Sequence, residues 1–471
     1  MSGRATQFWL RIGTRFLPFA DAATKELPLG RLLRLSLFQV SVGMAAVLLT
    51  GTLNRVMIVE LGVPASLVAI MVSLPLVFAP LRALIGFKSD HHQSYLGWKR
   101  VPYIWFGTLM QFGGFALLPF AMLVMTGGGH GPAIIGEIGA AIGFLLVGAG
   151  MHTTQTAGLA LATDLSPPDK RPRVVALLYV MLLIGMMASA LIIGRLLVHF
   201  TPTRLVEVVQ GAGALTMVLN IIALWKQEAR NRDATRHQEI KPSFKQAWAI
   251  FAAQPRVMRL LVSVGIGAAA FSMQDVLLEP FGGQILGLSV GATTSLTALW
   301  SVGMLTGFAV AARELGRAAD PHRLAGYGAV IGIAAFLCVI FSAPLHAVAL
   351  LAIGATLIGL GGGLFSVGTL TAAMAASEES YNGLALGAWG AVQATCAGAA
   401  IALGAFARDA VSAVAQDLGP VLANPATGYA MVYSFEIFLL LATIIALGPL
   451  VRGRASDAAS NVPFGLSEFP A

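Results

Sequence analysis

Twelve long apolar runs, each bounded by charges, Gly/Pro clusters or polar turns, constrain this chain more than any other feature. They cover 34–60, 65–87, 103–125, 132–160, 174–199, 204–225, 258–280, 291–313, 325–345, 347–374, 383–407 and 427–450. Each is at or near the roughly 20 residues that a helix needs to cross a bilayer. The runs are continuous and not alternating, which selects helices over an outer-membrane barrel. A soluble fold is excluded by composition, because only 11% of the residues are charged, less than half of the usual quarter or so. The chain reads as an all-α polytopic membrane protein.

The basic residues test that layout independently. Of the 30 Lys and Arg, 25 lie in the N-terminal segment, in the loops after even-numbered spans and in the C-terminal tail. The opposite side carries only Arg195, Arg204 and Arg408. Positive residues collect on the cytoplasmic side, so both termini are expected there and the span count is even. The net charge of +8 follows from this topology, and no nucleic-acid partner is expected. The longest polar stretch divides the spans six and six. The expected organisation is a basic cytoplasmic segment over 1–33, a six-helix half over 34–225 and a linker over 226–257. A second half over 258–450 and a tail over 451–471 complete it. Residues 8–33 suit either an interfacial helix, with Trp9, Leu10, Phe16 and Leu17 among basic residues, or a disordered basic tail. Cys338 and Cys396 both sit in apolar runs, so no disulfide framework is expected. The basic residues before the first span do not match a cleaved signal peptide, and that span is expected to remain in the mature protein.

The halves carry traces of duplication. Leu61-Gly62-Val63 after the first span has its counterpart in Leu286-Gly287-Leu288, 225 positions later. Gly86-Phe-Lys-Ser-Asp90 after the second span has its counterpart in Gly316-Arg-Ala-Ala-Asp320 after the eighth. With Gly97, Lys99 and Arg100, the first of these loops resembles the cytoplasmic signature of the major facilitator superfamily. It departs from that pattern by four extra residues between Asp90 and Gly97. Glycine would permit close helix approach there, and Asp90 could cap a helix or pair with a basic residue.

Longer strings are more specific. RFLPFADA at 15–22, LFQVSVGMAAVLLTGTLNRVMIVELGVP at 37–64, LGWKRVPYIWFGTL at 96–109 and QDVLLEPFGGQ at 274–284 resemble the PucC/LhaA family. TAGLALATDL at 156–165 and RPRVVALLYVML at 171–182 extend the likeness. This family is a branch of the major facilitator superfamily that assists light-harvesting complex assembly in phototrophic purple bacteria. The resemblance implies a function as an assembly factor in the bacterial inner, intracytoplasmic photosynthetic membrane. It implies antenna polypeptides, bacteriochlorophyll, membrane lipid and pigment-synthesis enzymes as partners, with bacteriochlorophyll as cargo or ligand.

Polar residues inside spans are the candidate site residues. Gln274, Asp275 and Glu279 cluster in span seven, where Asp275 and Glu279 are spaced to share one helical face. Asn54 and Arg55 lie at similar depth in span one. Arg55 would be a counter-ion locking the halves together, or the carboxylates would carry protons in a coupled transporter. In span four, His152 with Gln155 would either ligate the magnesium of a bacteriochlorophyll or hydrogen-bond between helices. His91 and His92 read as solvent-exposed in their loop, and His130 has no ligand partners. Arg82 ends span two, while Glu137 and Glu436 have no partner identifiable from sequence. A transporter of a pigment, a pigment precursor or another small molecule is the alternative function. A pigment-esterifying synthase is not expected, because only Asp164 and Asp169 lie close enough to hold a magnesium diphosphate.

Overall fold

The structure, a computed structural model, describes residues 27–77, 98–125, 132–167, 171–228, 255–375, 382–417, 419 and 423–451. Among these residues the regular structure is helical. In the first half α1 runs Leu29–Glu60, α2 Ala65–Val77, α3 Val101–Met125, α4 Ala133–Asp164, α5 Arg171–Leu196 and α6 Pro202–Leu224. Helix α7 is broken into α7a, Pro255–Ser272, and α7b, Leu278–Leu286. Then come α8 Val290–Leu315, α9 Pro321–Ser342, α10 Val348–Ala375, α11 Asn382–Ala415 and α12 Ala426–Leu447. Eleven spans among the described residues are long and apolar enough to cross a membrane, and the described part of α2 is shorter. The outer faces are apolar, with Phe406 65% and Ile445 73% exposed, whereas Asn54, Glu279 and Glu436 are buried. That inversion of a soluble protein is what a lipid solvent selects. The chain is a multi-pass membrane protein.

Helices pack mainly with members of their own group of six. α3 lies on α4 and α6, and α1 on α5; α10 lies on α8 and α9, and α7a on α11 and α12. The two groups meet chiefly through α5 with α8 and α2 with α11. The α8–α10 crossing is close because glycines face backbone on both sides. A methyl group on Gly303 would meet the Thr356 carbonyl, and one on Gly359 would meet that of Trp300.

The duplication is visible in the backbone. Gly62 and Gly287 both take left-handed φ, at 65° and 66°. After each glycine the chain makes the same six-residue closure, Val63 N–H to the Met57 carbonyl at 2.9 Å and Leu288 N–H to the Gly282 carbonyl at 3.0 Å. The closure is one residue wider than a Schellman ending and likewise favours glycine at its left-handed position. In the second half's loop motif, Asp320 caps α9, accepting from His322 N–H at 2.8 Å. Gly86, Asp90, Gly97, Arg82, His91, His92 and His130 lie outside the described residues. So do residues 1–26, most of the linker and the tail after 451.

Candidate functional site: a polar centre between α1, α7, α8 and α12

Polar residues in α1 are accommodated by widening the helix. Val47–Thr52 and Val56–Glu60 are π-helical and flank Leu53-Asn54-Arg55, the kind of local irregularity that often marks functional positions. The second π turn brings residues five apart onto one face, so the Arg55 Nη1 donates to Glu60 in an ion pair. Arg55 Nη2 donates to the Leu288 carbonyl across the interface at 3.0 Å. The guanidinium packs on Gly283, where a methyl group would lie 3.0 Å from Nη2. Asn54 is tied to its own helix, its amide donating to the Thr50 carbonyl.

The first π turn presents Gly51 to α7b. The carboxylate of Glu279 occupies the space that a Gly51 side chain would fill. Glu279 accepts hydrogen bonds from Thr297 at 2.6 Å and Thr294 at 3.5 Å, and Thr294 meets Thr52 at 3.2 Å. Glu279 is therefore solvated by α8 hydroxyls instead of water.

Helix α7 is interrupted rather than widened. Met273–Val276 form a 3-10 turn between α7a and α7b, and Pro280 follows at the third position of α7b. Proline has no N–H and its ring crowds the carbonyl four residues back, here Val276, so continuous α-helix is disfavoured at that point. The backbone N–H of Gln274 donates to Glu436 Oε1 on α12 at 2.7 Å. Gln274 Nε2 donates to Asp275 Oδ1 at 2.5 Å and to the Phe271 carbonyl at 3.3 Å. Phe281 sits edge-on to Tyr429 and Tyr433, with centroids 5.5 and 5.6 Å away, and Phe336 stacks on Tyr433.

Two sequence expectations change here. Asp275 and Glu279 do not share one α-helical face, because the 3-10 turn assigns them to different pieces of α7. Arg55 does not ion-pair with either of them; the π turn gives it Glu60 instead. Its role in joining the halves runs through the Leu288 carbonyl. Glu436 was visible in the sequence, but its partner lies 162 positions away.

Further clasps hold the end remote from the linker. Ser66 N–H, at the start of α2, donates to Asp409 of α11 at 2.7 Å. Asp409 also pairs with Arg408 at 2.7 Å, and Arg408 lies over the Tyr429 ring with its Cζ 4.6 Å from the centroid. Gln284 Oε1 accepts from both Arg408 and Tyr429 at 2.7 Å. Among the described residues, three side-chain hydrogen bonds join the halves here, through Thr52, Arg55 and Ser66.

At the linker end, Glu228 receives the backbone N–H groups of Lys99, Arg100 and Val101 at 2.5, 3.1 and 2.9 Å. A carboxylate on the open N–H groups of α3 complements the helix dipole. Glu228 stands among the linker's basic residues, and no local pattern in the sequence signals this contact. The side chain of Arg100 pairs with Asp164 at 2.9 Å. That engages one of the two aspartates which a synthase site would have needed, and Asp169 lies outside the described residues.

His152 is buried, 8% exposed, on α4. The glycines around it are filled: Gly148 lies against Pro75, Gly150 against the Gly107 carbonyl and Gly158 against Phe38. Gln155 approaches Gln39 of α1 at 3.5 Å. These glycines let α4 pack closely against α2, α3 and α1 beside His152. Among the described residues, no group of three His, Cys, Asp or Glu could hold a metal ion.

Comparison with known proteins follows the same lines. The chain matches the PUCC protein family over residues 52–455. Protein PucC of Rhodovulum sulfidophilum is 59% identical over 406 residues, covering 85% of this chain and 89% of that one. Protein PucC of Cereibacter sphaeroides is 50% identical, covering 95% and 98%. Among solved structures, a bacterial homologue of the human lysosomal transporter Spinster aligns with a TM-score of 0.66 at 14% identity, covering 92% and 95%. That likeness concerns the fold, a major-facilitator arrangement of helices. By the family match and by these identities, the chain belongs to the PucC family.

Proposed function

We propose that this protein is an assembly factor for photosynthetic light-harvesting complexes, and not an enzyme. In this reading it works in the intracytoplasmic photosynthetic membrane with both termini in the cytoplasm. It binds newly made antenna polypeptides within the bilayer and holds or delivers bacteriochlorophyll as cargo. Family membership across 52–455 carries the proposal. The outward face of α3 supports it: Trp105, Phe106, Leu109, Phe112 and Phe120 are exposed along one side, a surface on which a single-span helix can pack. Membrane lipid and pigment-synthesis enzymes are the further proposed partners. The clasps between the halves are contacts within this chain and need no substrate to explain them.

The test is purification in mild detergent from a pigment-producing host, with an absorption spectrum and mass spectrometry of what co-purifies. Antenna polypeptides with bacteriochlorophyll in near-stoichiometric amount are the expected result. A folded protein that carries neither would remove the assembly reading. The transporter-like fold and the buried carboxylates of α7 and α12 favour small-molecule transport as the second reading. Flux into proteoliposomes, abolished by substitution in the polar centre, would establish it.

A further inference from the structure

Two carboxylates converge on one residue at the break of α7. Gln274 gives its backbone N–H to Glu436 and its side-chain amide to Asp275. Glu436 is 0% exposed, and its second oxygen, Oε2, has no hydrogen-bond partner. One turn earlier on the same face of α12, Tyr433 is also 0% exposed and its hydroxyl has no partner. Neither carboxylate takes part in an ion pair among the described residues; Arg55 and Arg408 are engaged by Glu60 and Asp409. Asp275 is only partly covered.

Two unneutralised carboxylates within a membrane core are strongly unfavourable, and such residues either pair or bind an ion. An interrupted transmembrane helix is also where small ions are commonly held, because its freed backbone groups and neighbouring side chains face inward. We propose that Asp275, Gln274 and Glu436 form a binding site for one small monovalent cation, a proton or a sodium ion. The ion neutralises one carboxylate, while Gln274 holds the other. When the ion leaves, like charges repel, and the Glu436 contact that fastens α7 to α12 loosens. The charged and titratable groups facing the site are Asp275 on α7, Tyr433 and Tyr429 on α12, and Arg408 on α11. This inference does not rest on the assembly reading and fails or stands separately from it.

The test uses the full chain in lipid nanodiscs, as wild type, Glu436→Gln and Asp275→Asn. Infrared spectra are recorded at neutral pH, and thermal unfolding is followed with sodium exchanged for choline at constant ionic strength. A proton in the site gives a protonated-carboxyl C=O band that either substitution abolishes, with unfolding indifferent to sodium. Sodium in the site gives no such band and a rise in midpoint with sodium that both variants lose. Wild-type protein showing neither signal overturns the proposal, as do signals that survive both substitutions. The amide oxygen of Glu436→Gln can still accept from Gln274, and Asp275→Asn leaves Glu436 untouched. Elution as a single monodisperse species confirms that each variant is folded.

Discussion

α1 and α7 are equivalent helices of the two halves, and they carry polar residues into the membrane in opposite ways. Both end in the same left-handed glycine and the same six-residue closure. Before that ending they diverge. α1 stays hydrogen-bonded and swells into two π turns, so its polar groups are met largely within the helix or by the facing threonine. α7 breaks, and the N–H freed at Gln274 is met by a carboxylate from another helix. Widening keeps a helix self-sufficient; breaking makes it depend on its neighbours.

That contrast predicts a ranking of substitutions, each read as the change in unfolding free energy in detergent. Glu436→Ala is expected to be the most damaging, at about 3 kcal/mol, since it leaves a buried N–H unmatched and opens a cavity. A loss below about 1 kcal/mol would mean that water reaches the break and that α7 does not depend on α12. Gly51→Val should follow at about 2 kcal/mol, because its side chain displaces the Glu279 carboxylate from Thr297. Gly62→Ala and Gly287→Ala should each lose about 1 kcal/mol, the penalty for a left-handed residue with a side chain. Those two losses should agree closely, and an unequal pair would limit the kinship of the halves to sequence. Glu60→Gln should be the mildest, below about 1 kcal/mol, because Glu60 is partly exposed, Gln keeps an acceptor for the buried Arg55, and Arg55 still donates to the Leu288 carbonyl.

Much of the architecture is legible in the sequence because apolar runs and charge placement act over whole helices. The repeat is legible too, since a left-handed helix ending favours glycine at one position and Gly62 and Gly287 supply it. The break in α7 is harder to see. Gln274 and Asp275 read as polar residues carried within one continuous helix, and only Pro280, a few residues downstream, signals a break. The π turns of α1 have no comparable signal, as Val47–Thr52 would read as ordinary α-helix. The candidate residues Gln274, Asp275, Glu279 and Arg55 were visible as polar interruptions, but their partners were not. Glu436, Thr294, Thr297 and the Leu288 carbonyl reach them only through tertiary packing.

The crossing of α8 and α10 has a mechanical consequence. Gly303, Gly307 and Gly359 place backbone against backbone, so turning either helix about its own axis would drive a side chain into the partner's carbonyls. The pair is therefore stiff against twist and slip, and tilts as a single lever. Its far end touches the first half where Gly291 meets Gly194 of α5. A displacement applied there swings both helices together.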